Sequence, residues 1–341
     1  MGVTFLIGNG FDLNLGMKTR YTDMYDSYIK SESKSTVIEN FKKDLQKEEH
    51  NHYANWSDFE MGMARYAKNF TDENEFIECI RDFKAHMVKW LKDEDDFFIN
   101  KIISARSNSI NGLIQTLQNF HKGSTRNITY EIEDIIYKNK YCPCSFITFN
   151  YTKILDEILN MVPERFNMGG NTFDVDKNVV HIHGSLDYDV VLGVDNEKQI
   201  ANNFTLTQKT ELAFIKPEFN NIFDYRRVDS AIDMINKSSV ICAFGLSLGE
   251  SDKTWLNILK EWLLMNDEHH LIYYVYDDNQ IPLYNYDMKI EYEEAFKDKF
   301  FKKLKLTDAL IETIRNRVHI PVSYKIFDFM LQEKDKEPAT V

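Results

Sequence analysis

The first dozen residues constrain this chain more than any other stretch. Val3-Thr4-Phe5-Leu6-Ile7 runs straight into Gly8-Asn9-Gly10-Phe11-Asp12. A continuous apolar, β-branched run bounded by glycine is the pattern of a strand buried on both faces, as in a parallel sheet covered by helices. Glycine at 8 and 10 lets the backbone turn and lets a ligand approach the main chain. A helix starting near Phe11 would aim its free N–H groups at an anion such as a phosphate. The dinucleotide fingerprint asks for a third glycine three positions on, where Leu13 stands, so a plain tight turn fits the same residues.

The rest of the chain supplies context. In 341 residues there are only 13 Gly and 6 Pro, which predicts long regular elements, mostly helices. From about 21 to 140 the apolar residues recur at three- and four-residue steps: Trp56, Phe59, Met63, Tyr66 and Phe70, then Phe76, Ile80, Phe83, Met87, Trp90 and Leu91, then Ile102, Ile110, Leu113, Leu117 and Phe120. That rhythm is helical, and it predicts an all-helical insertion over 21–140. Strand-like runs then return at Ser145–Phe149, 178–182, 190–193, Ser239–Phe244 and 270–276, separated by helical stretches at 153–160, 211–237 (broken or kinked by Pro217) and 252–265. Strands alternating with helices call for an α/β fold with a mostly parallel sheet flanked by helices, Rossmann-like in plan. We expect a core of 1–20 and 141–289, the helical insertion 21–140, and a C-terminal helical region and tail over 290–341. In such sheets ligands sit beyond the carboxyl ends of the strands, where Gly8, Asn150, His183 and Gly245 fall.

Charge and cysteine content narrow the function classes. A net charge of −13 gives a nucleic acid no help from the global field, and the basic run Lys299–Lys305 reads as a solvated helix face with its apolar side packed inward. Cys79, Cys142, Cys144 and Cys242 form neither a disulfide framework nor a zinc ribbon. No signal peptide or apolar span of membrane length is expected. Leu6 stands where a myristoylation signal needs Ser or Thr, so the expected compartment is the reducing cytoplasm.

Each polar turn has a structural alternative. Asn150 could be the N-cap of the helix that follows, His183-Gly184-Ser185 a turn with a satisfied imidazole, and Gly245-Leu246-Ser247 a strand–helix turn capped by Ser251 or Asp252. Ser57 and Glu60 match a capping box. His181 and His183, two apart, would share a face on an extended segment; with Asp187 or Asp189 they could be drawn as a metal set, but no further ligand spacing accompanies them and no metal is expected. His50, His52 and the His269-His270 pair read as surface or loop residues.

Taken together the turns resemble the sirtuin-like NAD-binding fold. More narrowly, the chain resembles the AbiH family of phage abortive-infection proteins. The residues that carry the likeness are Ile7–Leu13, Asn55–Glu60, Phe149-Asn150-Tyr151-Thr152, His181–Ser185 and Phe244–Leu248 with Asp252. It departs from the pattern at Lys18, where proline is usual, and at Thr152, where the sirtuin-like fold has aspartate. The resemblance implies an NAD-hydrolysing effector that cleaves the nicotinamide–ribose bond. Asn150 would hold a water or ribose hydroxyl and His183 would accept its proton. Gly8, Asn9 and Gly10, with Phe11 and Asp12, would cradle the pyrophosphate. Gly184, Gly245, Ser247, Leu248 and Asp252 would complete the nucleotide site, and Asp58 or Glu60 could close over it. The missing zinc ribbon favours water over a protein acyl-lysine as acceptor. Control by a phage-derived or nucleotide trigger and a homo-oligomeric state are expected. The competing readings are a nucleotide-sensing switch that binds NAD without turnover and a metal-dependent nuclease.

Overall fold

A computed structural model describes residues 2–47, 56–138, 140–223, 225–247, 249–275, 286–321, 324–329 and 331. The run Val3–Ile7 forms β1, buried along its whole length. The five-residue α1 (Gly10–Asn14) follows at once. The described residues up to 138 then hold only helices as regular structure: α2 (Tyr21–Lys30), α3 (Thr36–Lys47), α4 (Trp56–Tyr66), a short 3-10 turn, α5 (Glu73–Ser104), α6 (Arg106–Asn119) and α7 (Arg126–Ile136). α5 runs 32 residues without a proline, opened by the Asp72 carboxylate accepting from the Asn74 amide at 2.9 Å, a standard N-cap.

The chain returns as β2 (Tyr141–Thr148), α8 (Ile154–Met161), a hairpin of β3 (Arg165–Met168) and β4 (Asn171–Val175), and β5 (Val180–His181). After α9 (Gln208–Phe214), α10 (Lys216–Phe223) and α11 (Tyr225–Lys237) come β6 (Val240–Phe244), α12 (Lys253–Met265) and β7 (His270–Tyr274). The described chain continues with α13 (Tyr286–Leu304), α14 (Asp308–Ile314) and β8 (Val318–His319). The eight strands make one sheet in the order β3-β4-β2-β1-β6-β7-β8, with β5 paired to the end of β2 that β4 leaves free. Among the described residues only the β3–β4 pair is antiparallel. The protein is thus a mixed α/β fold with a mostly parallel central sheet flanked by helices.

Alternation along β1 assigns its two faces. Val3, Phe5 and Ile7 pack with Ile102, Leu113, Leu117, Ile132 and Ile158 on one side. Leu6 packs with Ile235, Leu259, Trp262 and Phe301 on the other. A third, separate cluster joins α2–α5 to Tyr151, Leu186, Leu192 and Phe214, which fastens the helical segment to the loops at the carboxyl ends of the strands. No helix among the described residues is long and apolar enough to cross a membrane.

Several sequence expectations change. The expected strand at 145–149 begins four residues earlier and stops at Thr148. Residues 190–193 are not a strand, and only Val194 makes an isolated parallel bridge to Ile215. The helical stretch 211–237 is three helices, with Pro217 in the first turn of α10, where its missing N–H costs nothing. The hairpin β3–β4 and the strand β8 were not anticipated. His269 and His270 are buried, not surface residues: His269 stacks on Trp262 at 4.5 Å and His270 on His319 at 5.4 Å. In the basic stretch, Phe300, Phe301 and Leu304 face inward as expected. His50, His52 and the tail from 334 lie outside the described residues.

Candidate functional site

The register of the sheet brings the ends of three strands level: Ile7 pairs with Thr148 on one side and with Phe244 on the other. The turns that follow touch. The Gly8 amide donates to the Phe244 carbonyl (2.9 Å) and the Gly10 amide to the Gly245 carbonyl (3.0 Å). Gly245 has φ +66°, and a Cβ there would lie 2.5 Å from Gly10 Cα; a Cβ on Gly8 would lie 2.6 Å from the Gly245 carbonyl oxygen. Glycine at 8 and 245 is therefore demanded by turn packing on turn, whatever ligand lies above.

Asn150 ties the third turn to the first. Its Nδ2 donates to the Gly8 carbonyl (3.1 Å) and to Asp12 Oδ1 (2.9 Å), while Thr152 Oγ1 donates to Asp12 Oδ2 (2.8 Å). The N-cap of α8 is Lys153, so the capping role considered for Asn150 is not the one it plays. Both amide hydrogens are committed, and no donor among the described residues reaches Asn150 Oδ1, which is the atom this side chain has to offer. Burial pushes the Asp12 carboxyl up to about 7, against the opposing bonds from Thr152 and Asn150 and with the help of nearby Asp95. Thr152, the departure from aspartate, thus supplies a hydrogen to a buried acid where a second carboxylate would repel it.

His183 stands on the same rim. Its ring lies edge-on to Phe149 (5.4 Å, 87°) and 6.2 Å from Tyr151, the two residues that flank Asn150. Gly184 (φ +75°) makes the turn possible, since a Cβ there would collide with the Asp189 carbonyl at 1.4 Å. His183 Nε2 lies 3.1 Å from Asp252 Oδ1. The approach misses hydrogen-bond alignment, so Nε2 is a buried nitrogen without a hydrogen-bond partner. Asp252 in turn accepts from Lys216 Nζ (3.0 Å), which also donates to Glu60 Oε2 (2.8 Å). Burial would raise the Asp252 carboxyl, but the Lys216 ammonium beside it outweighs that and, with His183 as a lesser neighbour, holds the group well below the usual carboxylate range. Burial likewise pulls the Lys216 ammonium down, and Asp252 and Glu60 together overcome it and raise it.

The other expected residues divide. Asp252 sits at the N-cap position of α12 but makes no capping bond; its carboxylate serves Lys216 and His183. Glu60 is not part of a capping box, because its two oxygens go to Lys216 and to the Gly193 amide (3.1 Å). His181 and His183 do not share a face: the chain turns after His181, whose Nε2 meets Asp156 (3.0 Å) and whose Nδ1 meets the Asn150 carbonyl (3.2 Å). Asn9 exchanges two bonds with Thr19 (3.1 and 2.7 Å). Phe11 points into the core against Phe327 at 5.2 Å, and its amide donates to the Gly8 carbonyl at 2.9 Å. Ser247 is exposed, and its carbonyl accepts from Lys303 (2.8 Å). Leu248 and the Asp58 side chain lie outside the described residues. No group of three or more His, Cys, Asp or Glu fit to hold a metal ion occurs among the described residues.

Lys216 escaped the sequence reading. Its partners are 156 and 36 residues away, so no local pattern marks them. The available signal was a lone lysine set between the apolar pair Phe214-Ile215 and Pro217, where a charge needs a buried partner.

Chemically, the rim offers an uncharged amide oxygen, an imidazole beside an ionised carboxylate, and main-chain turns. That set can orient a hydroxyl or water and accept its proton. A family model described as bacteriophage abortive infection AbiH matches residues 4–274. No curated protein matches the chain.

Proposed function

The chain belongs to the AbiH family of bacteriophage abortive-infection proteins, and from that footing we propose that it acts in phage defence by hydrolysing NAD. The observation that carries this reading is His183 packed between Phe149 and Tyr151, on either side of Asn150, with the β1 and β6 turns alongside. NAD leaves little for a general acid to do, because nicotinamide departs neutral. The bond between its ring nitrogen and ribose C1′ breaks with the electron pair going to the pyridinium. Water forms the new C1′–O bond, and its proton passes to the His183 imidazole. Asn150 Oδ1 would orient that water or a ribose hydroxyl. The Gly8–Gly10 and Gly245–Ser247 turns would hold the two phosphates and the adenosine side. The fold is then a sirtuin-like variant of the Rossmann plan, with 1–20 and 141–289 as its core, 21–140 as an insertion and 290–341 as a C-terminal region. In the cytoplasm it would be held inactive, with homo-oligomer contacts taking part, until a phage-derived or nucleotide trigger released it, since unchecked NAD loss kills the cell.

A second reading, a switch that binds NAD without turnover, draws support from the full commitment of Asn150 Nδ2 to Gly8 and Asp12. Incubating the purified chain with NAD, following nicotinamide release beside calorimetry, and measuring cellular NAD after phage infection separates the two. Release in vitro, or NAD depletion in infected cells that needs His183, supports hydrolysis. Binding without either supports the switch, and neither binding nor depletion removes both.

A further inference from the structure

The buried charges behind His183 form a balance. Lys216 opens α10 with its side chain only 7% exposed. Three oxygens surround its ammonium: Glu60 Oε2 (2.8 Å), Asp252 Oδ1 (3.0 Å) and the Ser251 carbonyl (3.5 Å). The same Asp252 oxygen lies 3.1 Å from His183 Nε2. One carboxylate oxygen is therefore shared between an ammonium and an imidazole. Glu60 comes from α4, and its other oxygen is fixed by the Gly193 amide. Removing ions from water costs several kcal/mol each unless they are paired, so the three charges stand or fall together. With a neutral imidazole, Glu60, Asp252 and Lys216 sum to a single negative charge.

We propose that Lys216 is a positioning residue that draws Asp252 away from His183 and so keeps the imidazole free to act as a base, and that Glu60 sets how strongly it does so. The helical segment thereby tunes the histidine at the strand ends through one carboxylate on α4. The base role rests on the NAD-hydrolysis reading, whereas the charge coupling is measured without turnover. The two aromatic rings packed on the imidazole, Phe149 and Tyr151, bring no charge: burial holds the Tyr151 hydroxyl well above its usual range, and it donates to the Val191 carbonyl (3.1 Å).

The signs follow from the charge count. Lys216→Met leaves two carboxylates and no cation, so His183 binds its proton more tightly and its titration midpoint rises. Glu60→Gln leaves Lys216 wholly to Asp252, and the midpoint falls. A merely structural role gives shifts of the same sign in both variants, or none. The test is NMR titration of the imidazole-labelled full-length chain, with the His183 signal assigned by its loss in His183→Gln. Opposite shifts of about one pH unit are expected, with Lys216→Arg staying near the parent. Shifts of the same sign, or none, overturn the proposal. If Lys216→Met does not fold, Glu60→Gln decides alone: a lower midpoint supports the coupling and an unchanged one overturns it. Opposite shifts in a chain that never releases nicotinamide would keep the coupling and remove only the hydrolysis.

Discussion

Asp12 and Asn150, 138 residues apart, share a hydrogen bond of 2.9 Å between carboxyl Oδ1 and amide Nδ2 that locks the turn after β1 to the turn after β2. The acid sits in the short α1 and the amide follows a strand, so neither is held by its own element. Thr152 completes the clasp on Oδ2. Both donors would satisfy an ionised carboxylate, yet burial and Asp95 outweigh them and push Asp12 up to about 7. The protein carries a desolvated acid at the root of its candidate site.

That acid makes stability depend on pH in a defined direction. A carboxyl raised from 3.8 to about 7 on folding binds its proton more tightly in the folded chain. Its contribution is full below the unfolded value and declines as pH rises from about 4 to about 7. Asp12→Asn keeps the shape and removes the titration, so the variant-minus-parent difference should grow by about 1 kcal/mol per pH unit across that window. Asp12→Ala strands two donors and should cost about 2–4 kcal/mol at pH 5. Urea unfolding from pH 4 to 8 measures both, and a pH-independent Asp12→Asn difference contradicts the assignment.

The opposite dependence should come from the far end of the sheet. Burial, with Arg317 and His269, lowers His270 to about 4, and burial with His270 and Lys297 lowers His319 well below its usual range. A histidine held neutral by folding gives stability that is present above about 6.5 and lost as pH falls toward 4. His319→Phe keeps the stacked ring but removes one proton site. Its acid-side loss should be shallower by about 1 kcal/mol per unit, after a baseline cost of about 1 kcal/mol for the lost 3.1 Å bond to His270. Parent and variant melting curves at pH 7 and pH 5 decide it, with equal acid sensitivity as the contrary result.

Turn packing predicts a graded response at two glycines with the same sign of φ. Gly245→Ala combines φ +66° with a Cβ only 2.5 Å from Gly10 Cα, whereas Gly169 (φ +59°) has nothing within 4 Å of its would-be Cβ. The hairpin substitution should cost about 1 kcal/mol from the backbone alone. The Gly245 substitution should cost at least about 3 kcal/mol, because two backbones must separate. Equal midpoints in denaturant would show that the turns do not bear on one another.

The elements legible in sequence were those written in long or unmixed patterns. β1 and β6 are wholly buried, so their apolar runs announced them, and the helices up to 136 carried a clean helical period. The hairpin at Arg165–Val175 has polar, partly exposed strands, and β8 is two residues long; neither holds enough period to register. His269-His270 followed acidic residues and read as surface, yet His269 stacks on Trp262, while His270 pairs with Val240 in the sheet and stacks on His319. At the site, the sequence located the turns because glycine and asparagine punctuate strand ends. It did not yield the clasp or the charge cluster, because Asp12–Thr152 and Glu60–Lys216–Asp252 are long-range partnerships that only the folded chain assembles.

Asn150 and His183 should separate stability from activity. Asn150 Nδ2 makes two buried bonds, to Gly8 and Asp12, so Asn150→Ala should cost about 2–4 kcal/mol as well as lower NAD hydrolysis. His183 Nε2 makes no hydrogen bond, so His183→Gln should leave the unfolding midpoint within about 1 kcal/mol of the parent. If the imidazole takes the proton from water, the same variant should lose about 100-fold or more in nicotinamide release. Measuring denaturant midpoints beside nicotinamide release on both variants tests the pair together. A His183→Gln chain as stable and as active as the parent would take the imidazole out of the reaction. A stable chain without release would leave it at the centre.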